Sequence, residues 1–331
     1  MGDLAFSTVA KKRQNELIER YLTPRKVAGS SRFESMELMS GTAKSGRVYG
    51  GQLIGQSLLV AHGTVPQTFY AHSFHSHFVS AGSTEVPLKY KVEHLRDGFS
   101  SSVRSVVAQQ AEGDLKTLQT VYAAQVSFCK MPSRKEVEHQ DPMPLVPAPQ
   151  DCLTAAELLQ KQLDNPTHLS PTQQRMTKAR LDGLASTFVV RPVDADAYLR
   201  YRSHPPSMRM WIKAKDDIEA PYSSVSTEKR RQLHHAALAY MSDSLMMSTA
   251  IVAHVDQFTK EKTSPTIMSL DHSFWIHQPD FRADNWLLYD LHSSRAGNGR
   301  ALISGKFYTE DGKLVMSVAQ EGILRGTNSS L

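Results

Sequence analysis

The sequence predicts an α+β fold built twice in tandem, each copy a buried helix followed by antiparallel strands. Three observations predict it. Short segments recur in the same order along the chain, each recurrence opens on an apolar helical face, and each continues into strand-like runs.

Val60-Ala61-His62 returns as Val252-Ala253-His254, an offset of 192. His72-Ser73-Phe74 with His77 returns as His272-Ser273-Phe274 with His277 at 200. Tyr90, Arg96 and Gly98 return as Tyr289, Arg295 and Gly297 at 199, and Ala124-Gln125 as Ala319-Gln320 at 195. Offsets that drift by a few residues are what loop insertions leave behind, so the shared order and spacing identify a duplicated unit.

Within the first copy, Leu53, Ile54, Ser57, Leu58 and Ala61 fall on one helical face, as Met246, Met247, Ala250 and Ile251 do in the second. Val86, Leu88, Tyr90 and Val92 then alternate with Pro87, Lys89, Lys91 and Glu93, the period of a half-buried strand. Near the end, runs 301–308 and 314–324 flank Glu310-Asp311-Gly312-Lys313, an Asp-Gly hairpin signal. A helix wrapped by an antiparallel sheet, made twice and set side by side, hides both helices and joins the sheets. The expected organisation is an N-terminal segment at 1–20, a first copy at 21–131, a proline-rich connector at 132–190, a second copy at 191–326 and a tail at 327–331.

The 331 residues exceed one ordinary core, and 40% hydrophobic with 21% charged residues is a globular composition. A net charge of +5 favours anionic ligands, but the basic residues are scattered with no recognition module, which argues against nucleic acid. Cys129 and Cys152 form neither a disulfide framework nor a zinc motif, as suits a reducing compartment. No stretch approaches the ~20 apolar residues of a membrane span. Met1–Ser7 lacks a secretory core, and Phe6 breaks the myristoylation pattern. Ser329-Ser330-Leu331 resembles the peroxisomal S-K-L address, which makes the peroxisomal matrix the expected location and the cytoplasm the alternative.

His72, His75 and His77 suggest a metal cluster, yet on a strand His72 faces away from the other two and no carboxylate or cysteine stands at ligand spacing. No GxSxG elbow or P-loop occurs, and Gly297-Asn298-Gly299 is only a fragment of a dinucleotide fingerprint. No metal or cofactor is therefore expected. Asp243, between Ser242 and Ser244 ahead of an apolar helix, reads by itself as an N-cap. The repeat sets Gly51 opposite Asp243, Phe69 opposite Ser269 and Gln125 opposite Gln320. Asp, Ser and Gln thus occur together only in the second copy, as one working site per chain would require.

Arg47-Val48-Tyr49-Gly50-Gly51-Gln52, His72-Ser73-Phe74-His75 and Leu95-Arg96-Asp97-Gly98 resemble the first half of type II acyl-CoA thioesterases, in particular the eukaryotic peroxisomal members. Ser242-Asp243, Ser269-Leu270-Asp271-His272-Ser273-Phe274-Trp275, Asn285-Trp286-Leu287-Leu288-Tyr289 and Gln320-Glu321-Gly322 continue the match over nearly the whole chain. The resemblance implies a double hotdog fold and a hydrolytic water held by Asp243, Ser269 and Gln320, with Ser269 where bacterial members often carry Thr. It implies fatty acyl-CoA as substrate and free CoA as product. Substrate contacts are expected at Gly50, Gly51, Gln52 and His272, with an oxyanion donor at the Gly50-Gly51 helix start. A homodimer or higher homo-oligomer is expected from the exposed sheet. The rival readings are a hotdog enoyl-CoA hydratase or dehydratase, which would want an Asp–His pair beside one helix, and a catalytically silent acyl-CoA binding protein.

Overall fold

The computed structural model describes residues 16–41, 45–112, 115–131 and 137–328. Met1–Ser7 and Ser329-Ser330-Leu331, on which the targeting expectations rest, lie outside the described residues.

In chain order, a helical turn at Glu16–Leu22 precedes β1 (Arg25–Lys26), β2 (Arg32–Glu34), α1 (Gly50–His62), β3 (Phe69–Phe78), β4 (Lys89–Asp97), β5 (Ser101–Glu112) and β6 (Leu115–Lys130). Next come α2 (Ala155–Asp164), α3 (Pro171–Asp182), β7 (Phe188–Pro192), α4 (Ala195–Leu199), β8 (Ser207–Ala214), α5 (Thr227–Ser242), α6 (Met246–Ile251) and α7 (Val255–Lys260). The chain continues through β9 (Thr263–Ser269), β10 (Asp271–Ile276), β11 (Leu287–Gly297), β12 (Arg300–Thr309) and β13 (Leu314–Asn328). The polar connector holds two helices of its own. Each opens on a capping box, Thr154 with Glu157 and Ser170 with Gln173, in which side chain and backbone close orphan amides reciprocally.

The strands form one sheet in the order β1-β2-β4-β5-β6-β3-β10-β13-β12-β11-β8-β7, with β9 added against β13. This order is symmetric about the β3–β10 junction. At its centre Phe74 pairs with Phe274, the fully buried rings stacked 4.8 Å apart. Both copies carry the same bulge, at His94/Arg96 on β4 and Ser293/Arg295 on β11. The duplication read from the sequence is therefore a pseudo-twofold in space.

The register corrects one pairing of the copies. Phe74 pairs with Val126 and Phe274 with Val318, so the counterpart of Gln320 is Phe128 and not Gln125. An offset of 195 differs in parity from the structural 192, and successive strand residues face opposite sides. Accordingly Gln125 is exposed while Phe128 and Gln320 are buried. Phe69 and Ser269 do correspond, paired with Lys130 and Gly322 respectively.

α1 lies against β3–β6, and α6 against β8, β9 and β11–β13. The helix expected around Met246 is α6, but a longer one, α5, precedes it and runs antiparallel along α1. Gly51 and Gly55, one turn apart, make this approach possible. A Cβ on Gly51 would lie 2.1 Å from the Tyr240 carbonyl oxygen, and one on Gly55 3.0 Å from that of Ala236. Asp243 is accordingly the C-cap of α5 (φ −73°, ψ −14°) and not the N-cap of an apolar helix. Leu245, in the left-handed region at φ 64°, then breaks the chain into α6.

The segment Thr227–Lys260, taken across the break at Leu245, is long and apolar enough to cross a bilayer by length and composition, but 72% of its most apolar window is buried inside the protein. Its hydropathy belongs to a core helix.

The α1–α5 contact predicts that Gly51→Ala, whose methyl would overlap backbone, destabilises the fold by about 1–3 kcal/mol. Gly63→Ala, at an exposed position with ordinary contacts of 3.4 Å and beyond, should stay within about 0.5 kcal/mol. Denaturant melts of the two variants against wild type would check the difference; equal midpoints would mean that the helices can separate freely.

Candidate active site

Asp243 stands where the C-terminus of α5 meets the N-terminus of α1. Its Oδ2 accepts a 2.9 Å hydrogen bond from the Gly51 amide, one of the first-turn N–H groups that a helix leaves without an internal partner. Gly50 is kept small by the same carboxylate, since a Cβ there would lie 2.8 Å from Oδ2 and 3.0 Å from the Phe78 ring. The last carbonyls of α5 are also fixed: the Tyr289 hydroxyl donates to Ser242 O at 2.6 Å and the Tyr49 hydroxyl to Tyr240 O at 3.1 Å. These two tyrosines hold the helix end that carries Asp243. Reading the sequence assigned them no role, because a tyrosine's partner sits on another element.

Burial pushes the Asp243 carboxyl up to about 6, against the pull of hydrogen bonds from Gly51 and Gln320. The residue nonetheless keeps some contact with solvent. A carboxylate so placed can take a proton near neutral pH, which a fully solvated aspartate does poorly.

Ser269 ends β9 immediately before the chain turns at Leu270 into β10, and Gln320 lies on the neighbouring β13. Gln320 Nε2 donates to Ser269 Oγ at 2.9 Å. Its amide also lies near enough to Asp243 to favour the ionised carboxylate, so all three residues named from the sequence lie together. Ser269 and Asp243 are partly exposed and Gln320 is buried, which leaves a carboxylate and a hydroxyl within reach of solvent with an amide beneath them. Met268 and Ile267, both exposed, lead along β9 to this point, and Met247 packs against Gly322 beside it.

The residues expected to contact substrate divide. Gly50 and Gly51 border the carboxylate, but the Gly51 amide is engaged by Asp243. Gln52 is fully buried and its amide is taken up by structure: Nε2 donates to Tyr21 O and Glu37 O, and Oε1 accepts from Met39 N. It ties the N-terminal segment to α1 and is screened from solvent. His272 is also fully buried, its Nδ1 2.7 Å from Gln320 Oε1 and its Nε2 2.9 Å from Ser242 Oγ. It lies behind Gln320 and is screened from any substrate.

Among the described residues no group of three His, Cys, Asp or Glu side chains is placed to hold a metal. His72 bonds Ser127, while His75 and His77 lie exposed on the outer face. A surface pocket of about 310 Å³ lined by Met36, Glu37, Leu38, Thr84, Glu85 and Pro87 shares no residue with the Asp243 cluster; the convergence of side chains, and not concavity, marks the site.

Comparison with known proteins agrees with the halves seen in the fold. Residues 39–131 match the acyl-CoA thioesterase N-terminal domain and residues 155–324 the acyl-CoA thioesterase C-terminal domain. The chain is 34% identical to acyl-coenzyme A thioesterase 8 of Homo sapiens over 282 residues, 84% of this chain and 81% of the relative. It is 26% identical to peroxisomal acyl-coenzyme A thioester hydrolase 1 of Saccharomyces cerevisiae over 323 residues, 88% and 89% of the two chains. The crystal structure of acyl-CoA thioesterase II TesB2 from Mycobacterium marinum superposes with a TM-score of 0.67 at 29% identity, covering 94% of this chain and 98% of that one. With its duplicated sheet, and with both domain families matching over most of its length, the chain belongs to the acyl-CoA thioesterase family of thioester hydrolases.

Proposed function

We propose that this chain hydrolyses fatty acyl-CoA to free fatty acid and CoA by direct attack of a water held among Asp243, Ser269 and Gln320. The observation that carries the reading is the convergence of a buried yet reachable carboxylate, a hydroxyl and an amide donor, brought from α5, β9 and β13 by Gly51 and Gln320. Asp243 accepts a proton as the water attacks the thioester carbonyl carbon. Ser269 and Gln320 fix the water's direction, because a glutamine is no base at neutral pH. A C–O bond forms, the tetrahedral intermediate collapses, and the C–S bond breaks to release CoA thiolate, which takes up the proton. With the Gly51 amide engaged, the adjacent Gly50 amide and the positive end of α1 are the donor proposed for the oxyanion.

The hydratase reading is disfavoured by His272, which lies near Asp243 but is wholly buried with both ring nitrogens engaged, so it offers no acid or base to a substrate. We also propose a peroxisomal location, supported by the resemblance of Ser329-Ser330-Leu331 to S-K-L and by the yeast relative's name.

Thiol release from a panel of short to long acyl-CoAs should be measurable for wild type and fall about a hundredfold or more in Asp243→Asn. A wild type that binds acyl-CoA yet releases no thiol would establish the silent binding protein instead. Because the base must be ionised, kcat/KM should rise with pH through about 6. Stability should run the other way. The carboxyl is held above its ordinary 3.8, so the stabilisation from the bound proton is complete below about 3.8 and lost as pH rises through about 6. Asp243→Asn should therefore melt above wild type at pH 8, with the gap closing toward pH 5; a lower melting temperature at pH 8 would contradict a costly buried charge. For the location, a fluorescent protein fused ahead of the intact chain should coincide with a peroxisomal marker and disperse when the last three residues are removed. An unchanged distribution would refute the role given to that tripeptide.

A further inference from the structure

Gln320 has two chemically different ends, and the end that faces Ser269 decides whether it can serve the reaction. Its Nε2 lies 2.9 Å from Ser269 Oγ and also faces the Asp243 carboxyl, while Oε1 lies 2.7 Å from His272 Nδ1. Oε1 can only accept, so Nδ1 carries a proton. Burial pushes the imidazole down to about 4, so the ring is neutral at physiological pH and its Nε2 must accept. The donor it meets is the Ser242 hydroxyl at 2.9 Å. That hydroxyl is also placed to donate to the Ala239 carbonyl oxygen at 2.8 Å, and in this tautomer giving its single proton to the ring leaves that contact without a donor.

Turning the amide over would reverse every step. Nε2 would donate to Nδ1, the ring would carry its proton on Nε2, and Ser242 would accept there and donate to Ala239. Each of those groups would still be satisfied, but Oε1 would then oppose the ionised Asp243 carboxylate. The His272 tautomer and the Gln320 orientation are one two-state element. In the first copy the element does not exist: Phe128 stands in place of Gln320, and His72 bonds Ser127 instead.

We propose that His272 is a positioning residue: protonated on Nδ1 and backed by Ser242, it holds the Gln320 amide with Nε2 toward Ser269 and Asp243. The inference rests on the water-holding reading of those three residues. Besides Gly51 and Gln320, the titratable groups close enough to feel the Asp243 charge are the phenols Tyr49, Tyr122, Tyr240 and Tyr289, all kept neutral because burial raises them. The orientation of Gln320 is thus the adjustable term in the carboxyl's affinity for its proton.

Full-length protein carrying ¹⁵N-histidine, examined by long-range ¹H–¹⁵N correlation at pH 8, should show His272 as the Nδ1–H tautomer, its signals assigned by their loss in His272→Asn. The Nε2–H tautomer would overturn the proposal without reference to any variant's folding. In turnover, His272→Leu should lose about ten- to a hundredfold in kcat, with KM within about twofold and the acid limb of the pH profile displaced upward. His272→Asn, which retains a donor, should recover part of both. An acid limb that stays in place in His272→Leu, or equal loss in the two variants, would reduce His272 to packing. If Asp243→Asn leaves turnover intact or wild type releases no thiol, the underlying reading fails, and the tautomer alone then decides the relay.

Discussion

The hydrogen bond from the Gly51 amide to the Asp243 carboxylate is the contact on which the arrangement of the site depends, and it exists because two helices approach closely enough for backbone to touch backbone. Gly51 and Gly55 remove the side chains that would hold α1 and α5 apart. The C-terminal end of one helix thereby meets the N-terminal end of the other. For a carboxylate this is a balanced position: the end of α5 and the burial oppose its charge, while the amide at the start of α1 favours it. A carboxyl that takes up its proton at about 6 follows from that opposition, as the proposed role of a base requires.

Duplication supplies the frame and asymmetry supplies the chemistry. The copies meet at Phe74 and Phe274, and strand after strand corresponds outward from that pair. At the positions that matter the copies differ by polarity at constant register. Ser269 and Gln320 occupy in one half the places that Phe69 and Phe128 fill in the other, and both phenylalanines are buried. Two aromatic rings consolidate one end of the pseudo-twofold, where they need no polar partners. The other end keeps polar groups that must be satisfied, and the chain from Ser242 through His272 and Gln320 to Ser269 satisfies them. A buried network with each member paired is rigid as well as stable, which suits the water-holding role proposed for these groups.

The sequence by itself determined the duplication, the alternation of helix and strands, and the joint occurrence of Asp243, Ser269 and Gln320 in the second copy alone, because periodicity and repetition are local properties that survive in one dimension. It placed Asp243 at the wrong end of a helix, since a carboxylate between serines ahead of an apolar run looks like an N-cap whether or not another helix has just ended there. It matched Gln125 to Gln320, since dipeptide identity carries no information on strand parity, and one odd step moves a side chain to the other face of the sheet. Gln52 looked like a substrate contact because it borders the glycines, yet its partners Tyr21, Glu37 and Met39 come from a segment folded back over α1. Only the tertiary structure decided that Gly51 touches Asp243, that Tyr49 and Tyr289 hold the end of α5, and that His272 stands behind Gln320. Each of these is a contact between elements far apart in the chain, and hydrogen-bond direction and burial are fixed only when the packed elements arrive together.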